Sequence, residues 1–123
     1  MDNRPDDQFP RARPRFLRRI AMAYYIRTNV RLKMGGTLGY SEMMEKLVPY
    51  MAKQGWKLIL GLQPFVGDLT ELIHIWEVEE FAHIESALNA CYADPDALAI
   101  LAAMPDYLQN ENFQIMVKTS YSG

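Results

Sequence analysis

Cysteine, histidine and long apolar runs are all scarce in this chain of 123 residues, and each scarcity excludes a class of protein. The single cysteine, Cys91, cannot form an intramolecular disulfide, which is typical of a reducing compartment and predicts a cytoplasmic location. His74, His83 and one cysteine match no familiar zinc-ligand spacing, so no metal site is predicted. No apolar run approaches the roughly 20 residues of a membrane-spanning helix, so no membrane partner is predicted.

Glycine is concentrated in one short segment, where Gly35, Gly36 and Gly39 lie within five residues. A phosphate-binding loop would need a longer span that ends in Gly-Lys-Ser or Gly-Lys-Thr, and this segment has neither. We therefore predict a plain strand-to-helix connection here. No cofactor is predicted.

Charge is unevenly distributed along the chain, whose net charge is −2. Residues 1–21 contain six arginines and three aspartates, a net +3, which leaves −5 for the remainder. Three prolines in this segment disfavour regular structure. We predict a basic Pro/Arg-rich arm over residues 1–21 and one domain over residues 22–123. The arm lacks interleaved aromatic or glycine residues, so nucleic acid is not a predicted partner.

Alternation of apolar and polar residues predicts four strands, and helical spacing predicts the segments between them. Ser41 is the expected N-cap of the first helix, and Asp94 with Pro95 is a helix-start signal within the second helical region. The predicted strands are Tyr24–Met34, Trp56–Leu62, the run that follows Gly67 and ends at Val78, and Phe113–Thr119. The order β-α-β-β-α-β predicts an α+β, ferredoxin-like antiparallel sheet with the first and third strands at its centre.

The faces of this sheet decide where a site can lie. Two helices can cover only one face of the sheet. We predict that the apolar side of each strand faces these helices, which includes Leu58, Leu60 and Leu62 on the second strand and Ile73 and Ile75 on the third. The opposite face would then carry aromatic and polar side chains, among them Tyr25, Arg27, Asn29, His74 and Trp76. Because this face is too aromatic to meet only water, we predict that a second copy covers it and forms a homodimer.

Charge on this predicted inner face suggests the kind of ligand. On this assignment the face holds arginine and lysine but no carboxylate, and Arg27 lies deepest. A buried cation without a partner costs several kcal/mol, so a hydrophobic or anionic small ligand is expected, such as an enolate or phenolate. A one-residue bulge would bring Glu71 and Glu77 to this face and cancel the argument.

Four segments resemble those of a known family. They are Glu71–Trp76 preceded by Gly67, Leu47–Tyr50 with Gly55, Ala93–Pro95, and Leu108–Asn112. They resemble the NIPSNAP family of the dimeric α+β barrel superfamily, over about residues 23–118. The resemblance implies a dimeric barrel. Related barrels include cofactor-independent oxygenases, haem-degrading enzymes, and isomerases or cyclases of polyketide-like compounds.

Three side chains are candidates for chemistry on an electron-rich aromatic or polyketide-like substrate. His74 would act as a general base, because imidazole titrates near neutrality. Arg27 would stabilise the resulting anion, and Trp76 would stack on a planar ligand. The alternatives are a structural histidine, a dimer-spanning ion pair and barrel packing.

Three further residues are candidate ligand contacts. Tyr25 and Asn29 could orient a ligand oxygen or form interface hydrogen bonds. His83 could face a pocket between sheet and helices or lie in solvent. The sequence leaves open whether the protein is a cofactor-independent monooxygenase, isomerase or cyclase, or a non-catalytic dimeric binding module.

Overall fold

A computed structural model describes residues 23–122 and contains four strands in the predicted order. The last of them begins five residues before the predicted Phe113 and ends three residues before the predicted Thr119. The elements are β1 (Tyr24–Leu32), α1 (Thr37–Lys53), β2 (Lys57–Leu62), β3 (Glu71–Val78), α2 (Ala82–Ala93), α3 (Pro95–Ala103) and β4 (Leu108–Met116), with a 3₁₀ turn at Met104–Asp106. The strand order across the antiparallel sheet is β2-β3-β1-β4. This confirms the α+β, ferredoxin-like architecture with β1 and β3 at the centre. The predicted arm, residues 1–21, lies outside the described residues.

Helix α1 begins four residues before the predicted Ser41 cap, directly after the glycine-rich connection. Its N-cap is Gly36, and no side chain caps it. A Cβ atom on Gly39 would lie 2.2 Å from the ring of Tyr107, so the glycine is needed for this ring to pack against the helix. Close packing also accounts for Gly36, where an added Cβ atom would lie 2.5 Å from the Tyr107 carbonyl oxygen, whereas Gly35 is required by its positive φ of 80°.

Helix α3 starts as the sequence predicts. The Asp94 carboxylate accepts a hydrogen bond from the backbone N–H of Asp96 at 2.9 Å, and Pro95 occupies the first helical position. Within residues 23–122, the three helices cover one face of the sheet and leave the other face open. We call this uncovered side the open face.

The face predicted for His74 and Trp76 is wrong. In the register of β1 with β3, Thr28 pairs with His74 and Ile26 pairs with Trp76. Directly paired residues point to the same side of a sheet, so both β3 side chains share the apolar, helix-covered side of β1. The prediction assigned the most aliphatic side of each strand to the helices, one strand at a time. In the sheet, residues that pair across strands lie on the same face, so the helix-facing side of β1 also determines that of β3.

Strand β2 also departs from the prediction, because it contains a bulge. The register shifts between Leu58 and Leu60, so Leu58 lies opposite Trp76 on the helix side. Leu60 and Leu62 turn to the open face, where about half of each side chain is exposed. The predicted common face for these three leucines is therefore wrong.

The open face carries carboxylates, contrary to the prediction. The Tyr25 hydroxyl donates a hydrogen bond to Glu77 at 3.1 Å. Arg31 forms ion pairs with Asp68 and, at 3.8 Å, with Glu71. Both signs of charge are present, so the argument for an anionic ligand between two sheets no longer holds.

Candidate functional site

A cavity of about 330 Å³ lies between the sheet and the helices. We call it the sheet–helix cavity. Its wall is mostly apolar and includes five aromatic side chains of tyrosine, tryptophan or phenylalanine, namely Tyr40, Trp56, Trp76, Tyr92 and Phe113. The polar side chains on this wall are few, so they determine the orientation of a bound molecule.

His74 is the base that the cavity presents. The residue is 9% exposed, and its Nδ1 lies 3.5 Å from the Thr28 hydroxyl, a long contact. A Cβ atom built on Gly61 would lie 3.5 Å from the ring Cδ2, so that ring edge faces β2. Nε2 is therefore at the end of the ring away from the strand backbone. Burial lowers the pKa of His74 below its ordinary value of 6.5, which keeps the imidazole neutral and able to accept a proton at pH 7.

Tyr40 and Glu111 place two further titratable oxygens on this wall, which also includes the Tyr92 phenol. The Tyr40 ring lies 6.2 Å from the His74 ring, and the residue is 2% exposed. Burial and the nearby Glu111 raise the pKa of the Tyr40 phenol, which therefore stays a hydrogen-bond donor. Burial also raises the pKa of Glu111 above its ordinary value. The cavity thus combines the neutral imidazole of His74 with the phenol of Tyr40 and the carboxyl group of Glu111.

Trp76 forms part of the aromatic wall and packs against Trp56, which lines the same cavity. Its ring meets that of Trp56 edge to face, with the ring centroids 5.8 Å apart. The Trp56 Nε1–H donates a hydrogen bond to the backbone carbonyl of His83 at 2.9 Å, which fixes Trp56 against helix α2. The structure therefore brings together two of the predicted site residues, His74 and Trp76.

The His83 side chain does not line this cavity. Its ring packs against Gly55, where an added Cβ atom would lie 3.1 Å from the His83 Nδ1. That nitrogen is buried and has no hydrogen-bond partner among residues 23–122. His83 is separate from His74, although it supports the aromatic wall through its backbone.

The remaining predicted site residues lie across the sheet from His74. On β1, Tyr25, Arg27 and Asn29 alternate with the helix-facing residues and point to the open face. Their partners on β3 are Glu77, Ile75 and Ile73 respectively. The predicted constellation of His74 with Arg27 is therefore divided between the two sides of the sheet.

A second, wider cavity of about 530 Å³ lies beside β2, between α1 and the sheet. Tyr40, Met44 and His74 border both cavities. His74 therefore stands where two concave spaces approach each other. Within residues 23–122, no group of three or more His, Cys, Asp or Glu side chains could hold a metal ion.

Comparison with models of protein families shows to which family the chain belongs. A model described as NIPSNAP matches residues 24–123. The chain belongs to the NIPSNAP family. This confirms the resemblance to that family that four segments of the sequence indicated. None of the curated proteins compared with the chain matches it significantly.

Solved structures support the same fold for this NIPSNAP chain. A NIPSNAP family protein of unknown function from Agrobacterium tumefaciens is 21% identical, has a TM-score of 0.72, and aligns over 83% of this chain and 93% of its own. A NIPSNAP-like domain protein from Burkholderia xenovorans is 15% identical, with a TM-score of 0.69 and coverages of 84% and 90%. A putative antibiotic biosynthesis monooxygenase from Nitrosomonas europaea is 12% identical, with a TM-score of 0.66 and coverages of 84% and 96%. These likenesses establish the fold alone.

The sequence prediction of this NIPSNAP site missed Thr28, Tyr40 and Glu111. Thr28 interrupts the apolar side of β1, between Ile26 and Val30, and that interruption is a signal in the sequence. Glu111 pairs with Val30 and faces the helices, but only the register of β4 reveals this. Within residues 23–122, no helix of this NIPSNAP chain is long and apolar enough to cross a bilayer.

The stability of this NIPSNAP domain should fall in mild acid because of His74. Its folded-state pKa lies below 6.5, so below pH 6.5 the unfolded chain binds more protons and the free energy of unfolding decreases as the pH falls. The slope from this group is at most about 1.4 kcal/mol per pH unit. Urea unfolding from pH 8 to pH 5 should show a shallower decline for His74→Gln than for His83→Gln. Parallel curves for the two variants would contradict this assignment.

Proposed function

We propose that this chain forms a two-fold homodimer and binds an electron-rich aromatic small molecule in the sheet–helix cavity. The observation that carries the proposal is a neutral, buried imidazole at the wall of an aromatic cavity. The volume is within the lower range of small-molecule sites, and planar ligands stack well on tryptophan and tyrosine. The buried thiol of Cys91 suits a cytoplasmic location for this protein.

The chemistry proposed for this site is cofactor-independent proton abstraction. His74 Nε2 accepts a proton from a phenol O–H or an activated C–H of the ligand, and the electron pair stays on the ligand as an anion. The protonated Tyr40 hydroxyl donates a hydrogen bond to the developing oxyanion. Such an anion is the common first intermediate for oxygenation, isomerisation or cyclisation. The likeness to the putative monooxygenase from Nitrosomonas europaea suits the first of these.

The homodimer is proposed from the character of the open face. Its centre is apolar, with Ile73 and Ile75 half-buried and Leu60 and Leu62 about half exposed. Both signs of charge surround this centre, from Arg27, Arg31, Lys57, Glu71 and Glu77. A two-fold axis brings the cations of one copy to the anions of the other, so this surface is complementary to itself. Arg27 then acts at the interface and not on the ligand.

Binding of 2-naphthol tests the proposed site. Isothermal titration calorimetry of the full chain should give saturable binding at pH 7. His74→Gln should weaken the affinity about 10-fold, because it removes the proton acceptor for the phenol. His83→Gln, which alters the histidine outside the cavity, should leave the affinity unchanged. Equal affinities for all three proteins, or no binding to any, would contradict the proposed site.

Oxygen uptake separates an enzyme from a non-catalytic binding module. With 1,8-dihydroxynaphthalene as substrate, an oxygenase should consume oxygen faster than the buffer alone, and His74→Gln should lose at least about 100-fold of this rate. Light scattering should show the same dimer for both proteins. A ligand that binds without oxygen uptake or a rearranged product favours the binding module.

A further inference from the structure

The wall of the sheet–helix cavity includes Glu111, an acid that has no basic partner among residues 23–122. Among residues 23–122, neither lysine nor arginine lines this cavity, whereas Glu111 does. We propose that the ligand carries a protonated amine and that Glu111 binds this group as its counter-ion. This inference rests on the proposed function and names the class of its ligand.

The position of Glu111 defines a second subsite at a distance from His74. Phe113 pairs with Thr28, and Thr28 pairs with His74, so these three residues form one row across β4, β1 and β3. Glu111 lies in the adjacent row, opposite Val30. Neighbouring strands are about 4.8 Å apart, so Glu111 and His74 stand on strands about 10 Å from each other. A ligand of two fused rings with a short side chain can reach from one group to the other.

Electrostatics of the cavity favours a cation at this subsite. Within the described part of the chain, Glu111 forms no ion pair, and burial raises the pKa of its carboxyl group. An ammonium group would supply the missing positive charge and stabilise the ionised carboxylate. Tyrosine, tryptophan and phenylalanine side chains line the same space, and their ring faces attract organic cations.

The titratable groups that face Glu111 are consistent with this assignment. Tyr40, from α1 above the sheet, feels the charge of Glu111, and its phenol stays protonated. Burial keeps His74 neutral, so it supplies no positive charge. An anionic ligand would meet an uncompensated carboxyl group and no cation from residues 23–122. The cavity therefore discriminates by charge in the order amine, neutral phenol, carboxylate.

Three probes with the same ring system test this order on the full chain. Calorimetry at pH 7 should show 2-naphthylmethylamine binding at least about 10-fold more tightly than 2-naphthol, and 2-naphthoate binding least. Glu111→Gln should abolish the advantage of the amine and change naphthol affinity less than about 3-fold. Glu45→Gln is the matched control, because Glu45 borders the wider cavity beside β2 and not this one.

Proton release provides a measurement that needs no variant. Because an ammonium group lowers the raised pKa of Glu111, amine binding to the wild-type chain should release protons from this carboxyl group increasingly as the pH is lowered from 7 to 5. The release is measured as binding enthalpies that differ between buffers of different ionisation enthalpy. If 2-naphthol binds and the amine binds no more tightly than 2-naphthol does, the amine subsite is overturned. The proposed function is not affected by that result. Loss of amine binding in Glu45→Gln but not in Glu111→Gln would also overturn it. Failure of all three probes would count against the proposed function itself.

Discussion

Ile75→Arg should convert the proposed dimer into a monomer. Ile75 lies on a central strand, between Arg27 of β1 and Leu60 of β2, and points to the open face. In a two-fold dimer the substitution places two additional cations in an apolar interface beside the existing arginines. Burial of such charges costs several kcal/mol, which corresponds to a dissociation constant raised at least about 100-fold. Sedimentation velocity over a range of protein concentrations measures this change.

The matched control for this substitution is Leu38→Arg. Leu38 is 71% exposed in the first turn of α1, away from the open face. The control should remain a dimer with the same sedimentation coefficient as the wild-type chain. If Ile75→Arg sediments as the wild type does, or if Leu38→Arg dissociates in its place, the open face is not the interface between copies.

Trp76→Ala should lower the free energy of unfolding by about 3–5 kcal/mol, the cost of removing a large aromatic side chain from a packed core. The residue is 4% exposed, packs edge to face on Trp56 and lies in the cluster that also contains Val78 and Met51. Urea unfolding in the Ile75→Arg background separates this loss from dimer dissociation. The same loss is not expected for a residue on the other face of the sheet.

Leu60→Ala in the same background is the control for the face of the sheet. Leu60 is 48% exposed on the open face, so its truncation should cost less than about 1.5 kcal/mol in a monomer. A large loss for Leu60→Ala together with a small one for Trp76→Ala would reverse the two faces. That result would remove the sheet–helix cavity as the site.

Local patterns along the chain predicted the elements and their order. The alternation of β1 between Tyr24 and Leu32 is a property of neighbouring residues, and so is the Asp94-Pro95 start of α3. These features depend on backbone geometry over a few residues. The sequence alone was therefore sufficient for the ferredoxin-like arrangement of residues 24–116.

The composition of the site depends on pairing between distant residues, which no local pattern contains. His74 joins the cavity because it pairs with Thr28, 46 residues earlier in the chain. Glu111 joins it through the register of β4 with β1. The bulge in β2 after Leu58 likewise changes which leucines are covered. Each strand taken alone offers two faces, and only the assembled sheet selects one of them.

The protonation of the His74 ring and its response to ligand test the proposed site most directly. The full chain contains two histidines, so His83→Gln labelled with [¹⁵N]histidine reports His74 alone by NMR. We expect a ring that is neutral at pH 7, titrates below its ordinary pKa of 6.5, and shifts its Nε2 resonance when 2-naphthol is added. A ring that titrates at or above 6.5 and does not respond to the naphthol would contradict the proposed site.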